Sequence, residues 1–159
     1  MSGCKSWSNF PPMRLSSDLR EFLELLNAGG VDYLVVGAHS LAFHGRPRYT
    51  GDLDVLIFPS ETNAKRLVER LTQFGFADSG FTVSDFTEGD QIIQLGRPPN
   101  RIDLLTSLAG VTNDEAFAGK VAAAIDGVPV FFLGKKQLIE NKRAVARPQD
   151  LADLAELEP

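Results

Sequence analysis

Hydrophobic positions along this chain follow two periods. Leu15, Leu19, Phe22, Leu23, Leu25 and Leu26 recur at helical spacing, which gives a helix one apolar face. Ser16-Ser17-Asp18 supplies capping side chains before them, and Gly29-Gly30 supplies the stop. Val31–Val36 is a continuous β-favouring run that reads as a buried strand closed by Gly37. Ala38–His44 reads as a short helix with Leu41, Ala42 and Phe43 inward, ending at Gly45, and Pro47 makes Arg46–Gly51 a loop. Asp52–Phe58 is a second strand, and Glu61–Phe74 a helix with Ala64, Leu67, Val68 and Leu71 on one face, ended by Gly75.

The second half is more broken. Residues 77–90, rich in Asp, Ser, Gly and Thr, read as a loop or short helix. Gln91–Leu95 and Arg101–Leu105 are strands joined by a hairpin-like Gly96–Asn100. Thr112-Asn113-Asp114-Glu115 caps a short helix, Glu115–Ala118. Lys120–Ile125 and Val128–Phe132 flank Asp126-Gly127, a two-residue hairpin turn. Lys135–Ala146 is a helix, and Pro148 opens a last one, Gln149–Leu157. Helices and strands mix without regular alternation. The expected fold class is α+β, a mixed sheet of about five or six strands with helices packed on it.

Bulk properties narrow the class. At 159 residues without a linker or repeat, one domain over 15–159 is expected, after an aperiodic, Pro-containing arm at 1–14. A single cysteine, Cys4, excludes an internal disulfide framework and fits a reducing compartment. With no apolar run of about 18 residues and no apolar leader in MSGCKSWSNFPP, a cytoplasmic protein is expected. The net charge of −5 argues against bulk nonspecific binding to nucleic acid. It leaves room for a local basic rim of Arg46, Arg48, Arg97, Arg101, Lys142, Arg143 and Arg147.

The candidate chemistry is acidic. Asp52 and Asp54 lie one residue apart on a strand, so both side chains point to one face, with Leu53 and Val55 on the other. Two carboxylates on one face repel unless a cation sits between them, and hard oxygen donors suit Mg²⁺ or Mn²⁺. The alternative is an exposed edge-strand face, which explains poorly why Asp should interrupt an apolar strand. Asp103 interrupts another apolar run, Arg101–Leu105. If that strand lies beside Asp52–Phe58, Asp103 completes a triad; otherwise a salt bridge with Arg101 accounts for it. Gly37 ends a strand and opens a helix, and its missing Cβ lets a phosphate approach the backbone amides, with His39 and Ser40 as further donors.

These residues together resemble the nucleotidyltransferase superfamily: Gly37-Ala38 at a helix start, then Arg48, Thr50 and Asp52-Leu53-Asp54, then Asp103. The run VVGAHSLAFHGRPRYTGDLDVLI is similar to that of small bacterial nucleotidyltransferase-fold proteins related to AbiEii-type toxins of abortive-infection and toxin–antitoxin systems. The likeness continues through Gln94-Leu95-Gly96, Arg101–Leu105 and Asn141–Ala144 to Arg147–Leu154. It implies a nucleotidyltransferase-like fold that moves a nucleoside monophosphate from a triphosphate to an acceptor hydroxyl on tRNA, protein or a small molecule. It implies Mg²⁺ or Mn²⁺ on Asp52, Asp54 and Asp103, and nucleotide contacts from Gly37, Ala38, Ser40, Arg48, Thr50, Lys142 and Arg147, with Asp150 beside them. Partners implied are a nucleoside triphosphate and a second copy or an antitoxin. The chain departs from the pattern at Ala38, which keeps the amide but lacks the hydroxyl of Gly-Ser members. The alternative function is therefore a catalytically weak binding or regulatory module. For Lys142 and Arg147, cations complementing a helix C-terminus are the other reading.

Overall fold

The computed structural model describes residues 16–45, 52–76, 80–96 and 101–158. The helices are α1 (Ser17–Ala28), α2 (Gly37–His44), α3 (Glu61–Leu71), α4 (Asn113–Ala118), α5 (Lys135–Val145) and α6 (Pro148–Leu157). The strands are β1 (Tyr33–Val36), β2 (Leu53–Ile57), β3 (Ile92–Leu95), β4 (Ile102–Leu105), β5 (Val121–Ile125) and β6 (Val128–Phe132). The strands form one mixed sheet in the order β3-β4-β2-β1-β6-β5. β1 runs antiparallel to β2 and parallel to β6, and β2 runs parallel to β4. The two outer pairs, β3–β4 and β5–β6, are antiparallel.

Strand alternation divides the apolar residues between two cores. Tyr33, Val35, Leu53, Val55, Ile57, Ile102 and Leu104 face the larger one, which is closed by Leu19, Phe22, Leu23 and Leu26 of α1 and Ala64, Leu67 and Leu71 of α3. Leu34, Val36 and Leu56 face the smaller one, with Leu41, Val111, Ala116, Leu138 and Leu157. Each such buried Val, Leu, Ile or Phe side chain contributes roughly 1.5–3 kcal/mol of burial, so both sheet faces are anchored.

Local signals explain the element ends. Ser16 caps α1 by accepting from the Leu19 amide at 3.3 Å. Asp126 and Gly127 both take positive φ, 49° and 81°, and close a two-residue turn between Ile125 and Val128. Asn63 of α3 is buried; its amide group donates to the Asp32 and Phe58 carbonyls at 2.9 Å each and accepts from the Asp32 amide. One side chain thus ties the start of β1 to the end of β2. One expectation shifts. The helix expected to reach Phe74 ends at Leu71 and continues as a wider turn, Thr72–Phe76, interrupted at Gly75. Among the described residues of 80–90, the expected loop or short helix is a loop with one 3₁₀ turn, Val83–Phe86, whose Phe86 is fully buried in the larger core. No helix among the described residues is long and apolar enough to cross a membrane.

Candidate active site

The strand pleat places the acidic residues. Because Leu53, Val55 and Ile57 enter the larger core, Asp54 and Leu56 face the other way. Leu56 fills the smaller core, and Asp54 sits one pleat earlier, partly exposed at its rim. In β4, Ile102 and Leu104 take the larger core, which puts Asp103 on that same face. The parallel register pairs Asp54 directly with Asp103. Asp52 stands just before the ladder, which opens with the Leu53 amide donating to the Arg101 carbonyl at 2.9 Å.

Gly37 meets Asp54 from the other side. β1 pairs Val36 with Asp54, and the next residue turns into α2 with φ +66°. A Cβ at position 37 would run into the Asp54 carboxylate and lie 3.0 Å from its Cβ. The residue before α2, Val36, offers no capping side chain, so it leaves the first-turn amides of Gly37 and Ala38 uncapped.

The carboxylates carry more negative charge than burial tolerates. Burial, then the charge and hydrogen bond of Asp103, then the charge of Asp52, push the Asp54 carboxyl up to about 6. Arg101 supplies a counter-charge. Its Nη2 stands 3.2 Å from Asp52 Oδ2 and 3.3 Å from Asp103 Oδ2, and its Nε 3.2 Å from Asp103 Oδ1. The last contact has ion-pair distance but not hydrogen-bond alignment, so Arg101 Nε and Asp103 Oδ1 are both buried without a hydrogen bond. Among the described residues no three His, Cys, Asp or Glu side chains converge as a ready-made metal cluster. Asp54 and Asp103 adjoin, while Asp52 is paired to Arg101. The donor set nonetheless suits a hard divalent cation. It consists of carboxylate oxygens, one of them orphaned, with a cationic side chain already standing among them.

The remaining candidates fall in three places. Ser40 is fully buried and donates its hydroxyl to the Leu133 carbonyl at 3.4 Å. His39 is buried against the Asp52 backbone; burial pushes its pKa down to about 4, so the ring is neutral, and its Nδ1 has no hydrogen-bond partner. Lys142 and Arg147 direct their ion pairs elsewhere. Lys142 Nζ lies 2.9 Å from Asp153 Oδ2 and 3.3 Å from Asp150 Oδ1, all three side chains buried. Arg147 Nε lies 2.8 Å from Asp150, which also caps α6 by accepting from the Arg147 amide. Hydrogen bonds from Arg147, aided by Lys142, hold the Asp150 carboxyl down at about 2. This cluster is the joint between α5 and α6. Beside it, Asn141 donates to the Ala109 carbonyl, in the loop beyond the end of β4 remote from Asp103. Arg48 and Thr50 lie outside the described residues.

Two residues escaped the sequence reading as site members. Gln94 of β3 pairs in register with Asp103 and so borders the acidic face. Its signals were a polar residue within a strand and its place in the run Gln94-Leu95-Gly96. Arg101 was legible as an Asp103 partner by its spacing of two; its bridge to Asp52 depends on β2 and β4 being neighbours.

With this geometry in view, the chain is similar to several solved structures. One is a candidate nucleotidyltransferase, TM1012 of Thermotoga maritima, with a TM-score of 0.59 and 15% identity, covering 86% of this chain and 88% of that one. Another is the lincosamide antibiotic adenylyltransferase LnuA, lincomycin-bound, with a TM-score of 0.53 and 12% identity over 91% of this chain and 98% of that one. A third is an antigenic nucleotidyltransferase-like protein of Paracoccidioides brasiliensis, with a TM-score of 0.53 and 17% identity over 90% and 77%. No family model and no curated protein sequence matches the chain. The α+β architecture with a mixed six-stranded sheet is therefore a nucleotidyltransferase-like fold.

Proposed function

We infer that the protein is a nucleotidyltransferase that moves a nucleoside monophosphate from a nucleoside triphosphate to an acceptor hydroxyl. The observation that carries this reading is the register pairing of Asp54 with Asp103 beside the glycine that opens α2. In the reaction the acceptor oxygen bonds to the α-phosphorus, the bond to the bridging oxygen breaks, and pyrophosphate leaves with the electron pair. Asp54 and Asp103, with Asp52, would hold Mg²⁺ or Mn²⁺, which supplies charge neutralisation and a more acidic acceptor hydroxyl. The Gly37 and Ala38 amides would donate to phosphate oxygens at the helix start. Burial and the charges of Asp103 and Asp52 raise Asp54 to about 6 in the ion-free site, a repulsion that a bound divalent ion would relieve, and the acceptor proton leaves to water. Catalysis on this design is positioning and electrostatics.

The second reading, a binding or regulatory module, draws on Ala38, on the buried Ser40 hydroxyl and on the Arg101 pairing. The kinship with AbiEii-type toxins, and with it an antitoxin partner, rests on the sequence motifs alone. Incubation with α-labelled nucleoside triphosphates and Mn²⁺ tests the enzyme against RNA, protein and small hydroxylated acceptors in separate arms. Label transfer that Asp54→Asn abolishes supports it. No transfer in any arm, with no triphosphate-induced shift in melting temperature, removes it.

A further inference from the structure

Arg101 is placed oddly for a surface cation. Its guanidinium contacts Asp52 and Asp103 at 3.2 Å each, on the face where Asp54 also lies. Its side chain is 33% exposed, against 14% for Asp103 and 40% for Asp52. The backbone is fixed, because the Arg101 carbonyl accepts the first ladder hydrogen bond from Leu53. The side chain is held to Asp103 by one long hydrogen bond, Nη2 to Oδ2 at 3.3 Å, while neither Nε nor Asp103 Oδ1 finds an aligned one. A pair held by a single long hydrogen bond, on a partly exposed cation, is broken at low cost. Arg101 thus bridges Asp52 and Asp103, the oxygens a divalent ion on this face would use.

We propose that Arg101 is an exchangeable counter-cation: it occupies Asp52 and Asp103 when no divalent ion is bound, and moves onto the triphosphate when ions load. This rests on the reading of the acidic face as a site for divalent ions and a nucleoside triphosphate. A guanidinium and a divalent ion compete for the same oxygens, so ion loading releases Arg101. The planar fork then finds its best available partner in phosphate oxygens. Two consequences follow from linkage. Arg101 weakens ion binding when nucleotide is absent, and it couples ion and nucleotide binding positively. Ions would then be retained mainly when the triphosphate is present.

The experiment measures Mn²⁺ binding to the full chain by electron paramagnetic resonance, with and without a non-hydrolysable triphosphate analogue. Wild type, Arg101→Gln and Arg101→Lys are compared after circular dichroism confirms folding. Arg101→Gln should bind Mn²⁺ alone about tenfold more tightly than wild type, within the usual range of coupling. The analogue should tighten Mn²⁺ binding less in Arg101→Gln than in wild type. Arg101→Lys, which keeps the charge without the fork, should lie between; if Arg101→Gln does not fold, Arg101→Lys decides alone. Equal or weaker Mn²⁺ binding in a folded variant overturns the proposal and leaves the metal site standing. No Mn²⁺ binding by any of the proteins overturns both.

Discussion

Gly37 and Asp54 share one space: the Asp54 carboxylate stands where a side chain at position 37 would be. The β1–β2 register brings the two chains together, and the φ of +66° turns β1 into α2 without a Cβ in the way. Gly37→Ala therefore meets two penalties, left-handed backbone strain and overlap with Asp54, totalling about 2–5 kcal/mol. Urea unfolding measures the loss. A Gly37→Ala protein as stable as wild type would mean that the close approach is not required.

The Asp54–Asp103 pairing also sets a pH dependence. With a folded-state value of about 6 against an ordinary 3.8, Asp54 binds its proton more tightly folded than unfolded. Its contribution to stability is complete below about 4 and is lost as pH rises through about 6, by at most about 3 kcal/mol. In EDTA, the stability difference between wild type and Asp54→Asn should shift against wild type over that window. A difference independent of pH between 4 and 7 would contradict the pairing.

The joint between the last helices makes Lys142 a stability residue. Lys142→Met removes the buried cation between Asp150 and Asp153, leaving Asp150 to Arg147, and should cost about 3 kcal/mol. Adding Asp153→Asn should recover part of it. Unchanged stability together with weakened triphosphate binding would return Lys142 to the nucleotide site.

Ala146 ends α5 in the left-handed region at φ 53°. Relieving that strain with Ala146→Gly, less the added chain entropy of glycine, should raise stability by roughly 0.5–1 kcal/mol. A fall in melting temperature would show that the Ala146 methyl makes a contact worth more than the strain.

Some of the site was legible in the chain because it depends on local period. Alternation assigns a face, so Asp52 and Asp54 had to share one, and Asp103 had to oppose Ile102 and Leu104. The capping and turn chemistry at Ser16, Thr112 and Asp126-Gly127 acts over a few residues and marked element ends correctly. Lys142 and Arg147 belonged to a motif whose spacing says nothing about which way the side chains turn. Their partners, Asp150 and Asp153, lie across a helix–helix corner where no single period applies.

By itself the sequence determined which faces are apolar, where most of the strands and helices stop, and that carboxylates interrupt two apolar strands. Only the tertiary structure decided that β4 lies beside β2, in the register that sets Asp54 against Asp103. Only it decided that Arg101 reaches across to Asp52, and that the space above Gly37 belongs to Asp54. The physical reason is that strand type and facing are fixed by neighbours in sequence. Strand partnership is fixed by which buried surfaces fit one another across long loops.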